Sequence, residues 1–180
     1  MVTNRYDQSD LNIYGAEDEF EMDAIVDALE KASSAPASEH AGPTGDDWRR
    51  LLSAPRQPAS NLRRADLPEG PGVYFWSRGG APKYVGTATS LRKRLSSHLG
   101  GGESLAGSSL RRNVCELLFQ IPPNVTGKPT RQKVTTEQAA AIRDWLLSCE
   151  VSWLQAQTPE DAAALEARLR RAFLPPLNRV

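Results

Sequence analysis

Cysteine and histidine are both scarce in this chain of 180 residues, two of each. Cys115 and Cys149 are too few for a disulfide framework and do not form a CxxC pair. A disulfide-built fold is therefore excluded, a zinc site is not expected, and both thiols are read as reduced core or helix residues. Long apolar runs are missing too: none approaches the roughly 20 residues that a membrane-spanning helix needs. The opening MVTNRYDQSDLN lacks the basic-then-apolar order of a secretory signal. A cytoplasmic protein is the expectation. The sequence also has no internal repeat, no helix-turn-helix and no zinc-finger pattern, so sequence-specific base reading is not indicated.

Net charge is absent as well, but the zero total conceals an asymmetry. Residues 1–47 hold twelve acidic residues against two basic ones, Arg5 and Lys31, a balance of −10; residues 48–180 therefore carry +10. A basic body beside an acidic arm points to a polyanion-binding surface.

Within the arm, AEDEFEMDAIVDALEKA (16–32) spaces Phe20, Ile25, Val26 and Leu29 near the helical period and reads as a short amphipathic helix. SSAPASEHAGPTGDD (33–47) has too few large apolar groups to pack and reads as a mobile linker. DDWRRLLSA (46–54) suggests a second short helix docked by Trp48, Leu51 and Leu52. Two regions follow: residues 1–60, an acidic and largely disordered arm with short helices, and residues 61–180, a compact domain.

In that domain GVYFWS (72–77) and PKYVGT (82–87) are β-prone runs joined through Gly79-Gly80, a pair able to take the positive φ of a hairpin turn. Thr89 or Ser90 supplies an N-cap for LRKRLSSHL (91–99), where Leu91, Leu95 and Leu99 share one face and Arg94 with His98 another. GGGES (100–104) ends that helix. SSLRRNVCELLF (108–119) reads as a helix with Leu110, Val114, Leu117 and Leu118 inward, and IPPNVTGKPTRQK (121–133) as a loop. TTEQAAAIRDWLLS (135–148) is a helix, CEVSWLQA (149–156) a strand, and TPEDAAALEARLRRAFL (158–174) a helix begun by Thr158, Pro159 and Asp161. The expected fold is a small α+β domain, an antiparallel sheet of about three strands flanked by helices.

GVY at 72–74 and YVG at 84–86 resemble the two name-giving motifs of the GIY-YIG nuclease superfamily, each with Ile replaced by Val. The resemblance extends to Arg94, eight residues after the second motif's Gly, to His98 four further on, to Glu166 in the last long helix and to Asn178 in PPLNR. It covers roughly residues 68–180. The stretch YVGTATSLRKRLSSH looks most like the nuclease domain of the incision subunit of bacterial excision repair, and the insert around SSLRRNVCELL resembles stand-alone bacterial members of the superfamily. The resemblance implies a Mg²⁺- or Mn²⁺-dependent endonuclease acting on DNA, with Tyr74 as general base, Tyr84, Arg94, His98, Glu166 and Asn178 in the catalytic set, and Gly72 and Gly86 as motif backbone.

Chemistry gives these residue types compatible roles. Phosphodiester hydrolysis needs a deprotonated water in line with the leaving oxygen, donors for the charge growing on the phosphoryl oxygens, and a cation near the leaving group. A tyrosine has an unperturbed pKa near 10, so Tyr74 as a base needs a cationic neighbour such as Arg94 or Lys83, or a metal, to favour its phenolate. His98 would bond to that hydroxyl or relay its proton. Tyr84 would place the water or the phosphate, and glycine at 72 and 86 would let the backbone approach closely, with ordinary hairpin packing as the alternative.

Arg94 offers a planar fork to phosphate; a solvated helix charge is its alternative. Glu166, the one carboxylate in AAALEARLRRAFL, suits a Mg²⁺ completed by waters and phosphate oxygens, or else an i,i+4 ion pair with Arg170. Asn178, after two prolines, braces the site or merely turns the chain. Lys83, Arg92, Lys93, Arg111, Arg112 and Arg170 are candidates to neutralise DNA phosphates, together with Arg168 and Arg171.

Two other functions stay open: a module of the same scaffold that binds nucleic acid without turnover, and a protein-interaction domain whose acidic arm recruits a partner. The arm is either a solvated tail or a charge mimic lying over the basic body. If it is a mimic, deleting residues 1–47 tightens DNA binding at low salt; an unchanged dissociation constant refutes competition by the arm.

Overall fold

The computed structural model describes residues 42–127 and 130–178. The amphipathic segment expected at 16–32 lies outside the described residues.

The sheet grows from one hairpin. Gly79 and Gly80 take φ of 58° and 75°, the paired positive values of a turn whose twist matches that of its flanking strands. They join β2 (Gly72–Arg78) to β3 (Ala81–Ala88). β4 (Glu150–Gln155) pairs antiparallel along the other side of β2, and β1 (Gln57–Pro58) pairs with the start of β4. The spatial order is β1-β4-β2-β3, so β2 is interior and β3 is an edge. The fourth strand is an addition to the three expected. Two residues, one of them proline, show no alternation from which a strand could be read.

Both faces of β2 are covered, and its alternation divides the core in two. Tyr74 and Trp76, with Tyr84 and Ala88 of β3, face α2 (Leu91–His98), α3 (Ser109–Phe119) and α5 (Thr136–Leu147), packing among Leu91, Leu95, Leu110, Val114, Ile142 and Leu146. Val73, Phe75 and Val85 face the opposite way, toward α6 (Pro159–Ala172) and α1 (Asp46–Leu52), among Ala162, Leu165, Leu169, Trp48 and Leu51. Each fully buried large apolar side chain contributes about 1.5–3 kcal/mol of transfer free energy. Trp48 ties α1 down further: its indole Nε1–H donates to the Leu169 carbonyl at 2.7 Å, and its ring meets Phe75 and Phe173 edge-on.

Helix starts follow the sequence signals. Ser90, Thr135 and Thr158 cap α2, α5 and α6, with a complete capping box at Thr135 and Gln138. α3 is capped by Ser108. Its buried stripe is Leu110, Arg111, Asn113, Val114 and Cys115, with Phe119 packed beside it. Leu117 and Leu118 therefore fall past the edge of the stripe and stand 50% and 38% exposed, not inward as their apolar character suggests. The chain reverses directly afterwards at Gln120, in the left-handed region. One helical turn, α4 (Pro123–Thr126), interrupts the loop expected at 121–133. Among the described residues no helix is long and apolar enough to cross a membrane.

Candidate active site

The site begins with a register. Tyr74 of β2 stands directly across from Gly86 of β3, and Trp76 across from Tyr84. A Cβ at position 86 would lie 2.5 Å from Tyr74 Oη and 2.8 Å from Tyr84 Cε1. Gly86 thus leaves room for two tyrosine rings, which stack with centroids 6.2 Å apart. Gly72 serves a different approach: a Cβ there would meet the Leu154 carbonyl of β4 at 2.4 Å and Leu91 of α2 at 2.8 Å. The first glycine seats a helix on the sheet, and the second admits the tyrosines.

Helix α2 carries His98 back over these rings. Leu91 and Leu95 bury its apolar side, and the same inward rotation buries His98 completely. Its Nε2 lies 2.7 Å from Tyr74 Oη, and its Nδ1 lies 2.7 Å from Ser108 Oγ. The next residue, Ser109, holds the second tyrosine, with its Oγ 2.9 Å from Tyr84 Oη. Both serines stand at the N-terminus of α3, and neither belongs to the set expected from sequence. The Ser-Ser doublet before LRR is legible as a helix cap, but nothing in its spacing ties it to His98 or Tyr84.

Burial governs protonation here. It pushes the Tyr74 phenol well above its usual 10; Tyr84 adds to the rise, Arg94 opposes it and Glu166 adds again. The Tyr84 phenol is also raised, first by burial and then by Glu166, against the lowering influence of Ser109, Arg94 and Arg170. Burial, assisted by Arg94 and Arg111, holds the His98 imidazole well below 6.5. Both tyrosines are therefore phenols and His98 a neutral imidazole near pH 7. The cationic neighbour invoked to favour a phenolate is present in Arg94, but alone it does not offset burial.

The fields of Arg94 and Glu166 reach both phenols, so the expected Arg, Glu and tyrosines do converge. Arg94 is half-buried and donates through Nη1 to the Gly107 carbonyl at 3.3 Å. Glu166 is buried, with its carboxylate 3.8 Å from the guanidinium of Arg170. Arg170, expected to contact DNA, thus pairs with the candidate metal ligand. Among the described residues no group of three or more His, Cys, Asp or Glu gathers around any point. A lone carboxylate fits a hard cation that keeps several waters and takes phosphate oxygens, the habit of Mg²⁺, and does not fit a closed all-protein cage.

Asn178 sits against β3. Its Oδ1 accepts the Val85 backbone N–H at 2.7 Å and its Nδ2 donates to the Val85 carbonyl at 2.6 Å. The neighbouring Leu177 N–H donates to the Lys83 carbonyl at 2.9 Å, and Asn113 Nδ2 donates to the Leu177 carbonyl at 2.7 Å. The C-terminal segment thereby takes up hydrogen bonds along the edge of β3, at Lys83 and Val85. The carboxamide acts on the backbone beneath Tyr84 and Gly86.

Several basic candidates turn inward. The loop at 99–107, between α2 and α3, has no ladder partners for its carbonyls, and arginines supply donors. Arg143 donates to Leu99, Arg111 to Gly102 and Ser104, Arg112 to Leu105 and Ala106, and Arg94 to Gly107. Arg111 is buried, so the phosphate contact expected of it is replaced by this structural one. Arg112 is half-buried and engaged in the same way. Arg92 donates to the Leu67 carbonyl and pairs with Glu69. Arg168 pairs with Asp47 of α1 at 2.7 Å. Lys93 is exposed, as are Arg171 and part of Lys83.

A family model for the GIY-YIG catalytic domain matches residues 82–180, more than half of the chain; the first motif, at 72–74, precedes the matched stretch. The UvrABC system protein C of Deinococcus radiodurans is 51% identical over 39 residues, 21% of this chain and 6% of that protein. The chain thus spans a small fraction of that relative's length. Two crystal structures of the GIY-YIG N-terminal endonuclease domain of UvrC from Thermotoga maritima are similar at a TM-score of 0.40 each. One is bound to magnesium and the other is a point mutant bound to its catalytic divalent cation; they are 23% and 21% identical, covering 68% and 69% of this chain and 99% of each domain.

The buried neutral His98 has a consequence for stability. Below about pH 6.5 the unfolded chain binds a proton that the native imidazole refuses until a much lower pH, so acidification favours unfolding. The slope reaches about 1.4 kcal/mol per pH unit for one such group. Urea unfolding between pH 7.5 and 5 should show wild type losing stability more steeply than His98→Gln; parallel losses would exclude His98 as the source.

Proposed function

The chain belongs to the GIY-YIG catalytic domain family, and on that premise we propose that it is a metal-dependent endonuclease that hydrolyses DNA phosphodiester bonds by attack of an activated water. The observation that carries this reading is the 2.7 Å contact between Tyr74 Oη and His98 Nε2, with the charges of Arg94 and Glu166 acting on the same phenol.

Tyr74 is the general base. At rest its proton is held by burial; before it can take the proton of the attacking water it must release its own to solvent, and the balance of charge around it sets how readily it does so. Arg94 already favours the phenolate and Glu166 opposes it. Mg²⁺ bound to Glu166 would supply a positive charge that cancels the opposing carboxylate and stabilises the leaving oxygen. His98 holds the Tyr74 oxygen in place, and Tyr84, fixed by Ser109, orients the water or the phosphate. Arg94, aimed by its bond to Gly107, presents a planar guanidinium to the phosphoryl oxygens as their charge grows. Asn178 keeps β3, and with it Tyr84 and Gly86, at a fixed height. Lys93, Lys83 and Arg171 are the basic residues proposed to meet the DNA backbone, without base reading.

The purified chain of 180 residues should nick supercoiled plasmid with Mg²⁺ and not with EDTA. Arg94→Ala and Glu166→Gln should each slow nicking on the order of 10²–10³-fold with native circular dichroism. Wild-type rates in both variants would sink the assignment, and salt-dependent DNA binding by a wild type that never nicks would make the domain a binding module.

A further inference from the structure

Ser108 has a hydroxyl placed between two jobs. It is buried, it accepts the Arg111 backbone N–H at 3.1 Å as the cap of α3, and it lies 2.7 Å from His98 Nδ1. The hydroxyl owns one hydrogen, and of its two partners only Nδ1 can accept it. Were Nδ1 protonated instead, Ser108 Oγ would receive two hydrogens and leave its own buried with neither partner able to take it, an unsatisfied donor that costs stability.

We infer that Ser108 is a positioning residue: its hydroxyl donates to Nδ1, fixes His98 in the Nε2–H tautomer, and makes His98 a hydrogen-bond donor to Tyr74 and not the acceptor of its proton. A neutral imidazole carries a single N–H, which the Ser108 bond leaves to Nε2. The surroundings keep the ring neutral. It is fully buried, with Arg94 of its own helix and Arg111 of α3 acting on it, and with Tyr74 and Trp76 of β2 and Tyr84 of β3 packed against it.

The polarity then runs in one direction. Ser108 donates to His98, His98 donates to Tyr74, and the Tyr74 hydrogen is left to point away from the imidazole. Ser109 supports Tyr84 from the same helix terminus. When Tyr74 loses its proton, an N–H faces the phenolate; the opposite tautomer would face it with a lone pair. The consequence for catalysis rests on the nuclease reading above, whereas the tautomer does not.

Two-bond ¹H–¹⁵N correlation at pH 8 reads the tautomer directly, since His40 is the only other histidine. Wild type and Ser108→Thr should show a protonated Nε2 and a bare Nδ1. Ser108→Asp keeps a good N-cap but offers acceptors only, so Nδ1 should become protonated. Nicking should slow on the order of 10²-fold in that variant, with the pH optimum displaced upward, and Thr should retain the wild-type profile. A protonated Nδ1 in wild type overturns the inference, as does wild-type rate and pH dependence in Ser108→Asp, the result a purely capping role requires. If no variant cuts but the tautomer reverses as stated, the positioning role stands and the nuclease reading falls.

Discussion

One steric condition underlies the site: position 86 must lack a Cβ. Tyr74 and Gly86 are cross-strand partners on a face that packs against helices, and the ring of Tyr74 fills the volume a side chain at 86 would take. Any larger residue would push the hydroxyl away from His98 or shift β3 from its register. Much else serves that register. The Gly79-Gly80 turn sets the hairpin phase, the pairing of β2 with β4 makes Tyr74 interior, and the Asn178 carboxamide anchors the free edge of β3 through Val85.

A second constraint lies in the loop from 99 to 107, which delivers Ser108 and Ser109 to the histidine and the second tyrosine. It is irregular backbone, and irregular backbone near a core needs donors for its carbonyls. Arginines from α2, α3 and α5 provide them. The basic excess of the body therefore has two uses: part of it organises the site from within, and the remainder faces outward. A count of charges cannot separate these, and it is the reason Arg111 and Arg112 look like DNA contacts in the sequence and act as loop clamps in the structure.

The hairpin, the long helices and most caps are legible because each rests on local signals: β-branched and aromatic runs beside Gly-Gly, leucines at i and i+4, and Ser or Thr before a helix. That Tyr74, Tyr84, Arg94, His98 and Glu166 share a site is expected from the family resemblance of the two motifs and of the residues after them, not from local signals. What stays hidden depends on tertiary geometry. Ser108 and Ser109 reach the site only because the loop folds back; Asn178 finds Val85 across 93 residues; and Leu117 and Leu118 lie outward because the buried stripe of α3 runs through Arg111 and Cys115. The protonation states are equally invisible in sequence, since they follow from burial, which outweighs Arg94 at Tyr74 and acts together with Arg94 and Arg111 at His98.

The chemistry proposed for the domain turns on one oxygen atom, the hydroxyl of Tyr74, held at 2.7 Å from a neutral histidine. Tyr74→Phe removes that atom and leaves the ring over Gly86. Single-turnover cleavage of supercoiled plasmid in saturating Mg²⁺ tests it most directly. The account predicts a loss on the order of 10²–10⁴-fold with an unchanged fold; cleavage by the phenylalanine variant at the wild-type rate would contradict it.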